Sequence, residues 1–305
     1  MPVSRREFTA GAIATAASLA CGKGISAAEN ELIRRPVPSS GELIPVMGVG
    51  TNRYGVGDDV TLRAPLRAAL EKFHQLGGTV IDTAPGYRTS ETVLGDLLAD
   101  IGNLDDFFIA TKVDREDRAD SEERMEASFR KLRMQVCDLM QVHNLRGWQD
   151  SIPLMKEWKN EGRIRYIGIT TSRENQYEEL EKIMRAHDLD FVQVNYSLAG
   201  QRSSADRLLP LASERGMAVL INRPFGGGGV FSKLSQASLP EWAAEFDVTS
   251  WAQFLLKYAL SHPAVTCAIP GMTKARHVED NFAAARGRMP TARHRKQQEA
   301  FFDGL

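Results

Sequence analysis

The chain has 305 residues, of which 43% are hydrophobic and 25% charged, with a formal net charge of −1. That is the make-up of a globular protein able to bury a large core without staples, and the length suits one large barrel as well as two smaller domains. The balance of charge offers no basic face for nucleic acid.

At the start, Ser4-Arg5-Arg6-Glu7-Phe8 precedes an apolar stretch from Gly11 to Ala20, followed by small residues ending in Ser26-Ala27-Ala28. A positive opening, a short apolar core and a small-residue end describe a secretory signal. The apolar stretch is too short to span a bilayer stably. The arginine pair resembles the twin-arginine (Tat) export signal. That resemblance implies a signal peptide over residues 1–28, passage through the Tat machinery, and a mature chain of residues 29–305 that is periplasmic or otherwise exported and not held in a membrane. Export of this kind carries folded proteins, so a nucleotide would be loaded in the cytoplasm and held tightly. Cys21 stands where a lipid could be attached, but Ser18-Leu19-Ala20-Cys21 fits that pattern poorly.

Beyond the leader, apolar runs with strand character alternate with amphipathic stretches. The expected strands are Met47–Thr51, Thr79–Thr83, Phe107–Lys112, Asp138–His143, Tyr166–Thr170, Phe191–Asn195, Ala218–Asn222 and Val265–Pro270. Helices are expected between them, among others over Thr61–Gln75, Glu122–Met134, Asn175–Ala186 and Ser250–Ser261. Eight such units point to parallel βα repeats and a single closed (β/α)8 TIM barrel of the α/β class. A doubly wound sheet is the alternative, but no strand leads into GxGxxG. Cys137 and Cys267 sit in apolar runs as small buried side chains, and no spacing of Cys and His suggests a metal site. The longest irregular stretch, Arg223 to Glu241, carries four glycines that suit close approach of backbone to phosphate or a mobile lid.

Polar residues collect at the ends of successive strands, the face that carries the active site of a βα barrel. Asp82, Lys112 and His143 each close an apolar run, and Tyr87 follows in the loop after Asp82. Buried singly they would be costly, so they are expected as partners. A free tyrosine ionises near ~10, too high for efficient proton exchange at neutrality, and a neighbouring lysine cation lowers that value. Asp82 would hold Lys112, Tyr87 would protonate a carbonyl oxygen as hydride reaches carbon, and His143 would hydrogen-bond the same oxygen.

The segments Val80-Ile81-Asp82-Thr83-Ala84-Pro85-Gly86-Tyr87, Ile109-Ala110-Thr111-Lys112, Asp138-Leu139-Met140-Gln141-Val142-His143 and Gly162-Arg163-Ile164-Arg165-Tyr166-Ile167-Gly168 resemble the aldo-keto reductases, over nearly the whole chain after about Leu43. The resemblance implies a TIM barrel with a short N-terminal β-hairpin, Asp82, Tyr87, Lys112 and His143 as the catalytic tetrad, no metal, and a nicotinamide cofactor with NADP(H) preferred over NAD(H). It places Gly50 and Thr51 beside the nicotinamide, Thr170, Thr171 and Gln193 on its carboxamide, and Asn222 where an aromatic often stacks on the ring. It sends Arg223, Pro224, Phe225 and Gly226 toward the pyrophosphate. Gly271, Thr273, Lys274, His277, Asp280 and Asn281 fall at the adenosine phosphate site, a helix N-terminus suited to anions. Substrate walls are expected from Tyr54, Trp148 and Phe225.

The leading reading is a reductase of small carbonyl compounds, or the reverse oxidation of an alcohol. A nucleotide-binding regulatory or sensor barrel with little turnover is the second. A barrel lyase with Lys112 as a Schiff base is the third, disfavoured because pairing with Asp82 keeps the amine charged.

Overall fold

The computed structural model describes residues 31–102, 104–200 and 202–305. The expected export segment, with Arg5, Arg6, Cys21 and Ala28, lies outside the described residues. A hairpin comes first: β1 (Arg34–Pro36) and β2 (Leu43–Pro45) pair antiparallel, with Arg35 opposite Ile44. Alternation then begins with β3 (Val49–Gly50), α1 (Val60–Gln75), β4 (Val80–Asp82), α2 (Ser90–Ile101), β5 (Phe108–Val113) and α3 (Arg118–Leu132). It continues through β6 (Cys137–His143), α4 (Trp148–Asn160), β7 (Ile164–Thr170), α5 (Tyr177–Ala186), β8 (Phe191–Asn195) and α6 (Ser204–Glu214). The last part holds β9 (Ala218–Asn222), a one-turn α7 (Val230–Lys233), α8 (Trp251–Leu260), β10 (Cys267–Ala268), α9 (Ala275–Ala283) and α10 (Ala292–Asp303).

Among the described residues, β3 to β10 form one eight-stranded parallel sheet in chain order. Bridges from Met47 to Ala268 and from Gly50 to Gly271 close it into a barrel. The two seam strands are shorter than their apolar runs. Hydrogen bonds nevertheless continue past them, from Gly48 N to Ala268 O at 2.9 Å and from Gly50 N to Pro270 O at 3.0 Å. Pro270 accepts but has no N–H to return, so the ladder thins there. Helix α3 starts four residues before its expected Glu122, because Asp117 caps it by accepting from Asp120 N at 2.9 Å. It ends at Leu132, where Arg133 turns left-handed at φ 57°. The stretch after Arg223 is less irregular than its glycines suggest, since it contains α7 and a 3-10 turn over Leu234–Gln236.

Side chains two apart on a strand share a face. One face of β5 therefore carries Phe108, Ala110 and Lys112, of β6 Leu139, Gln141 and His143, of β8 Phe191 and Gln193, and of β9 Ala218, Leu220 and Asn222. The apolar members of these rows fill the barrel interior, where Val37 and Ile44 of the hairpin join them as a plug at the N-terminal end. The opposite faces, among them Ile109, Met140, Ile167, Val192 and Val219, pack beneath the helices with Leu97, Phe129, Met155, Leu180 and Leu208. Each inward row thus runs from apolar at the plug to polar at the mouth. Cys137 and Cys267 are free and buried. Lys257 on α8 is also buried, and its Nζ donates to the carbonyls of Phe246, Arg286 and Arg288 at 2.8 to 2.9 Å. It anchors the helix whose start, Ser250 and Gln253, holds Asp280. Among the described residues, no helix is long and apolar enough to cross a membrane.

Candidate active site

The polar ends of the inward rows open into a cavity of about 1080 Å³. Asp82 at the end of β4 and Lys112 near the end of β5 are buried on its floor, 2% and 1% exposed. Lys112 Nζ donates to Asp82 Oδ1 and Oδ2, each at 2.8 Å, and to Thr83 O at 2.7 Å. Three acceptors meet three N–H groups, which is what a desolvated ammonium needs. The amides of Gln141 and Gln193 also reach Asp82, at 3.3 and 3.4 Å. Burial opposes the Lys112 charge, but Asp82, Tyr87 and Glu91 outweigh it and its pKa is raised. An amine held in this way is a poor Schiff-base nucleophile, which removes the ground for the lyase reading.

Tyr87 reaches the same floor from the loop after β4. Lys112 Nζ lies 5.3 Å from the centre of its ring, and His143 stands edge-on to that ring at 6.1 Å between centroids. The expectation that Lys112 leaves an unusually acidic phenol needs correcting. Lys112 is the largest single influence on Tyr87 and does pull its pKa down, but burial and the Asp82 carboxylate together push it further up. The lysine arrives with its charge already paired. Tyr87 is therefore held in the protonated form at neutral pH, which is the form a proton donor needs. Burial, joined by Lys112, holds the His143 pKa down to about 4, with Asp114 opposing and Arg173 adding to the fall. Its imidazole is neutral and has one N–H to give.

The rest of the cavity wall is built for a ligand that brings its own partners. Gln193 Oε1 and Asn222 Oδ1 are buried and have no hydrogen-bond partner among the described residues. Both line the cavity together with Gly50, Thr51 and Thr170. A Cβ on Gly50 would lie 2.7 Å from Ile269 O, so only glycine fits beside the seam. Arg223 (φ 48°), Gly227 (φ 112°) and Gly228 (φ 91°) form a left-handed strap along the wall with Pro224 and Phe225. Gly271, Thr273, His277, Asp280 and Asn281 gather at the start of α9, whose N-cap, Lys274, supplies no side-chain cap. His277 N already donates to Lys274 O at 3.0 Å, so it is the N–H groups before it in the helix that are left for an anion. A cavity this size exceeds the roughly 300–1,000 Å³ of ordinary small-ligand sites, as an extended dinucleotide requires. Among the described residues, no group of three His, Cys, Asp or Glu is arranged to hold a metal ion.

Several expected residues are placed elsewhere. Thr171 does not line the cavity; it is one residue out of phase with inward-facing Thr170, and its hydroxyl bonds Gln176 and accepts from Arg173 N at 3.0 Å. Gly226 turns its open side to Ala199, 3.2 Å from where a Cβ would stand. Lys274 caps α9 and does not line the cavity. Asp280 lines it, but both carboxylate oxygens are taken, by Ser250 Oγ at 3.0 Å and Gln253 Nε2 at 2.7 Å. Tyr54 is fully buried and donates to Met272 O at 2.7 Å, so it supports the loop after β10 and walls no substrate. Trp148 borders a second, smaller pocket. Other residues on the wall were not anticipated: Asn52, Arg53, Asn144, Ser172, Phe231, Ala252 and Ile269. The two-residue strand period carried on past Thr170 points to Ser172. Arg53 is exposed and forms no ion pair among the described residues.

Comparison with known proteins agrees with this geometry. The model of the aldo/keto reductase family matches residues 46–300. Methylglyoxal reductase YeaE of Escherichia coli is 29% identical over 259 residues, 82% of this chain and 89% of that protein. The NADH-specific methylglyoxal reductase of the same organism is 25% identical over 247 residues, 69% of this chain and 73% of its own length. Among solved structures, an aldo/keto reductase from Klebsiella pneumoniae in complex with NADP and acetate superposes with a TM-score of 0.70 at 26% identity, covering 86% of this chain and 93% of that one.

Proposed function

The chain belongs to the aldo/keto reductase family, and from that premise we propose how its residues share out NAD(P)H-dependent reduction of aldehydes and ketones. The observation that carries the reading is the closed Lys112–Asp82 pair beside a protonated Tyr87 on the floor of a cavity long enough for a dinucleotide. The bound nicotinamide supplies hydride chemistry. Tyr87 gives its phenol proton to the carbonyl oxygen, and the neutral His143 N–H hydrogen-bonds that oxygen and fixes its direction. Lys112 stays charged throughout and stabilises the phenolate left behind, while Asp82 keeps the ammonium in place. The comparisons give no support to the nucleotide-sensing alternative.

Thr170, Gln193 and Asn222 are assigned to the carboxamide, with the two free amide oxygens accepting its N–H groups. Gly50 and Thr51 border the ring. Arg223 and Arg53 are assigned to the pyrophosphate, and Thr273 and His277 with the α9 N-terminus to the adenosine phosphate. NADP(H) is preferred over NAD(H) in this reading, on the strength of Arg223 and Arg53 on the cavity wall and of Arg276, which does not line the cavity but lies 3.4 Å from His277, which does. Methylglyoxal, named for two relatives, is the natural first substrate. The test is loss of dihydronicotinamide absorbance with NADPH, then NADH, and methylglyoxal. Turnover faster with NADPH supports the assignment; nucleotide binding without turnover of any reactive aldehyde refutes it.

The export reading rests on Ser4-Arg5-Arg6-Glu7-Phe8 and the small residues before Ala28. On it, residues 29–305 act outside the cytoplasm with the cofactor already loaded. Replacing Arg5 and Arg6 together by lysine is expected to stop export, and undiminished accumulation of the variant in the periplasm refutes the signal.

A further inference from the structure

The His143 imidazole makes no hydrogen bond among the described residues; its surroundings are the edge-on ring of Tyr87 and the charges of Lys112, Asp114 and Arg173. Its aim therefore rests on the backbone. His143 stands opposite Thr170 in the last rung of the β6–β7 ladder, and Asn144 N donates to Thr170 O at 2.8 Å. Directly after it come two left-handed residues, Asn144 at φ 54° and Leu145 at φ 60°, and Arg146 N closes the turn on His143 O at 3.2 Å. A leucine in that region is costly. Rotating the central peptide of such a turn would return Leu145 to negative φ and swing the Asn144 carbonyl round.

The ladder pins the turn at one end. At the other, Leu145 is buried and Gly147 is pressed so close that a Cβ on it would stand 1.7 Å from Arg115 O. The carbonyl in the middle is held from the side: Gln176 Nε2 donates to Asn144 O at 3.0 Å. Gln176 Oε1 accepts from Thr171 Oγ1, which itself accepts from Arg173 N at 3.0 Å. A carbonyl only accepts, so the amide has a single workable orientation and the Thr171 hydroxyl must donate to it. Gln176 closes a one-turn 3-10 helix, Glu174–Gln176, where its own N donates to Arg173 O at 3.0 Å. Its side chain thus adds a rung past the end of the ladder. Resting on the reductase reading, we propose that Gln176 is a positioning residue: it ties the turn after His143 to the loop after Thr170, and so keeps the group that directs the carbonyl oxygen in place against the wall assigned to the nicotinamide carboxamide. The same rung accounts for Thr171, whose hydroxyl serves Gln176 and not the carboxamide.

The test follows single-turnover hydride transfer from NADPH to methylglyoxal in the full-length enzyme by stopped-flow absorbance. Gln176→Ala removes the rung. Gln176→Glu, at mildly alkaline pH where a carboxyl is ionised, keeps the acceptor for Thr171 and removes the donor to Asn144. Both should slow the step about tenfold, with aldehyde KM and nucleotide affinity held within about twofold. Thr171→Val should slow it about threefold, and Thr171→Ser should keep the wild-type rate, because only the hydroxyl is used. A Gln176→Glu rate equal to that of the wild type, or losses that merely follow melting temperature across the variants, overturns the proposal. A second readout needs no turnover. The Cε1–H NMR signal of the His143 imidazole, assigned by its disappearance in His143→Gln, should be single in the wild type and in Thr171→Ser, and broadened or doubled in both Gln176 variants. A signal unchanged in both overturns the proposal. It does so even where the wild type reduces no aldehyde, an outcome that by itself defeats only the reductase reading.

Discussion

On the floor of the main cavity, Lys112, Asp82 and the Thr83 carbonyl satisfy one another before anything binds. Along the wall assigned to the nucleotide, Gln193 Oε1 and Asn222 Oδ1 are left buried without a partner among the described residues, and Arg223, Gly227 and Gly228 hold left-handed backbone. The difference follows from what each region is asked to hold. A buried full charge without its counter-charge is unaffordable, so the floor must be complete at all times. An orphaned amide oxygen costs far less, and the wall can carry several until a ligand supplies the missing donors. Chemistry is preorganised; recognition is left open.

The largest effect should come from the floor. Tyr87→Phe is expected to lower kcat for carbonyl reduction by about 10³-fold, within the span known for general acids. Nucleotide affinity, read by fluorescence quenching, should stay within about twofold, because in this reading the phenol hydroxyl meets the carbonyl oxygen and not the nucleotide. Comparable losses in both would erase the distinction between floor and wall. The pH dependence follows with a definite sign. Because burial and Asp82 hold the Tyr87 phenol above its ordinary value against the pull of Lys112, the proton-bearing form persists past neutrality. Reduction should therefore stay level across neutral and mildly alkaline pH and fall only in the tyrosine range above ~10, whereas alcohol oxidation, which needs the phenolate, should climb throughout. His143 is neutral until pH drops to about 4, so no acid-side loss from it is expected before then. A reduction rate that falls between neutrality and mildly alkaline pH would mean the phenol is acidic after all.

Next in size is the self-sufficiency of the floor. Lys112→Met strands the Asp82 carboxylate and should cost about 3–5 kcal/mol in denaturant unfolding. Asp82→Asn added to it should restore much of that stability without restoring activity. If the double variant is no more stable than the single one, the pair is not the self-compensating unit described above.

The same contrast explains how far the sequence could be read. The barrel was legible because strand runs such as Phe191–Asn195 and Ala218–Asn222 obey local patterning, and both strands have those bounds. Asp82, Lys112 and His143 were legible because a charged or polar residue closing an apolar run is conspicuous. The seam strands were read too long because a parallel ladder depends on what stands across from it. Thr171 and Tyr54 were misplaced for a similar reason: which face a side chain takes after its strand ends is decided by the loop, through Gln176 in one case and the Met272 carbonyl in the other. The direction in which the Tyr87 pKa moves was hidden because it depends on burial and on two charged neighbours, Lys112 and Asp82, that only the fold brings together.

The openness of the wall can be tested by closing it. Asn222→Leu removes a buried oxygen that has no partner among the described residues, together with a marginal Nδ2 contact of 3.5 Å to Thr171 O. Without ligand, the variant should be as stable as the wild type or more so, by up to ~1 kcal/mol. Nucleotide affinity should fall by roughly tenfold, the worth of one well-placed hydrogen bond. A variant that loses stability and keeps its affinity would show that Asn222 serves the fold and not the ligand.

The smallest effect concerns the choice between the two nucleotides. His277 lines the cavity on α9, where the adenosine phosphate is assigned, and its pKa is lowered by burial first, then by Arg276 and Lys274, with Asp280 opposing. At neutral pH it therefore brings no fixed charge to a 2′-phosphate. His277→Arg would supply a permanent cation with a forked donor geometry that matches phosphate. Its gain is limited by the neighbour already present, since Arg276 Nε lies 3.4 Å from His277 Nε2 and two guanidiniums at that spacing repel. The expected outcome is a rise of about threefold to fivefold in the ratio of NADPH to NADH affinity, less than the full value of a new phosphate contact. The rise should shrink as salt is added, because both the attraction and the repulsion lie near solvent. An unchanged ratio would place the 2′-phosphate away from the α9 N-terminus, and the wall would then need a different selectivity residue, with Arg53 the first to try.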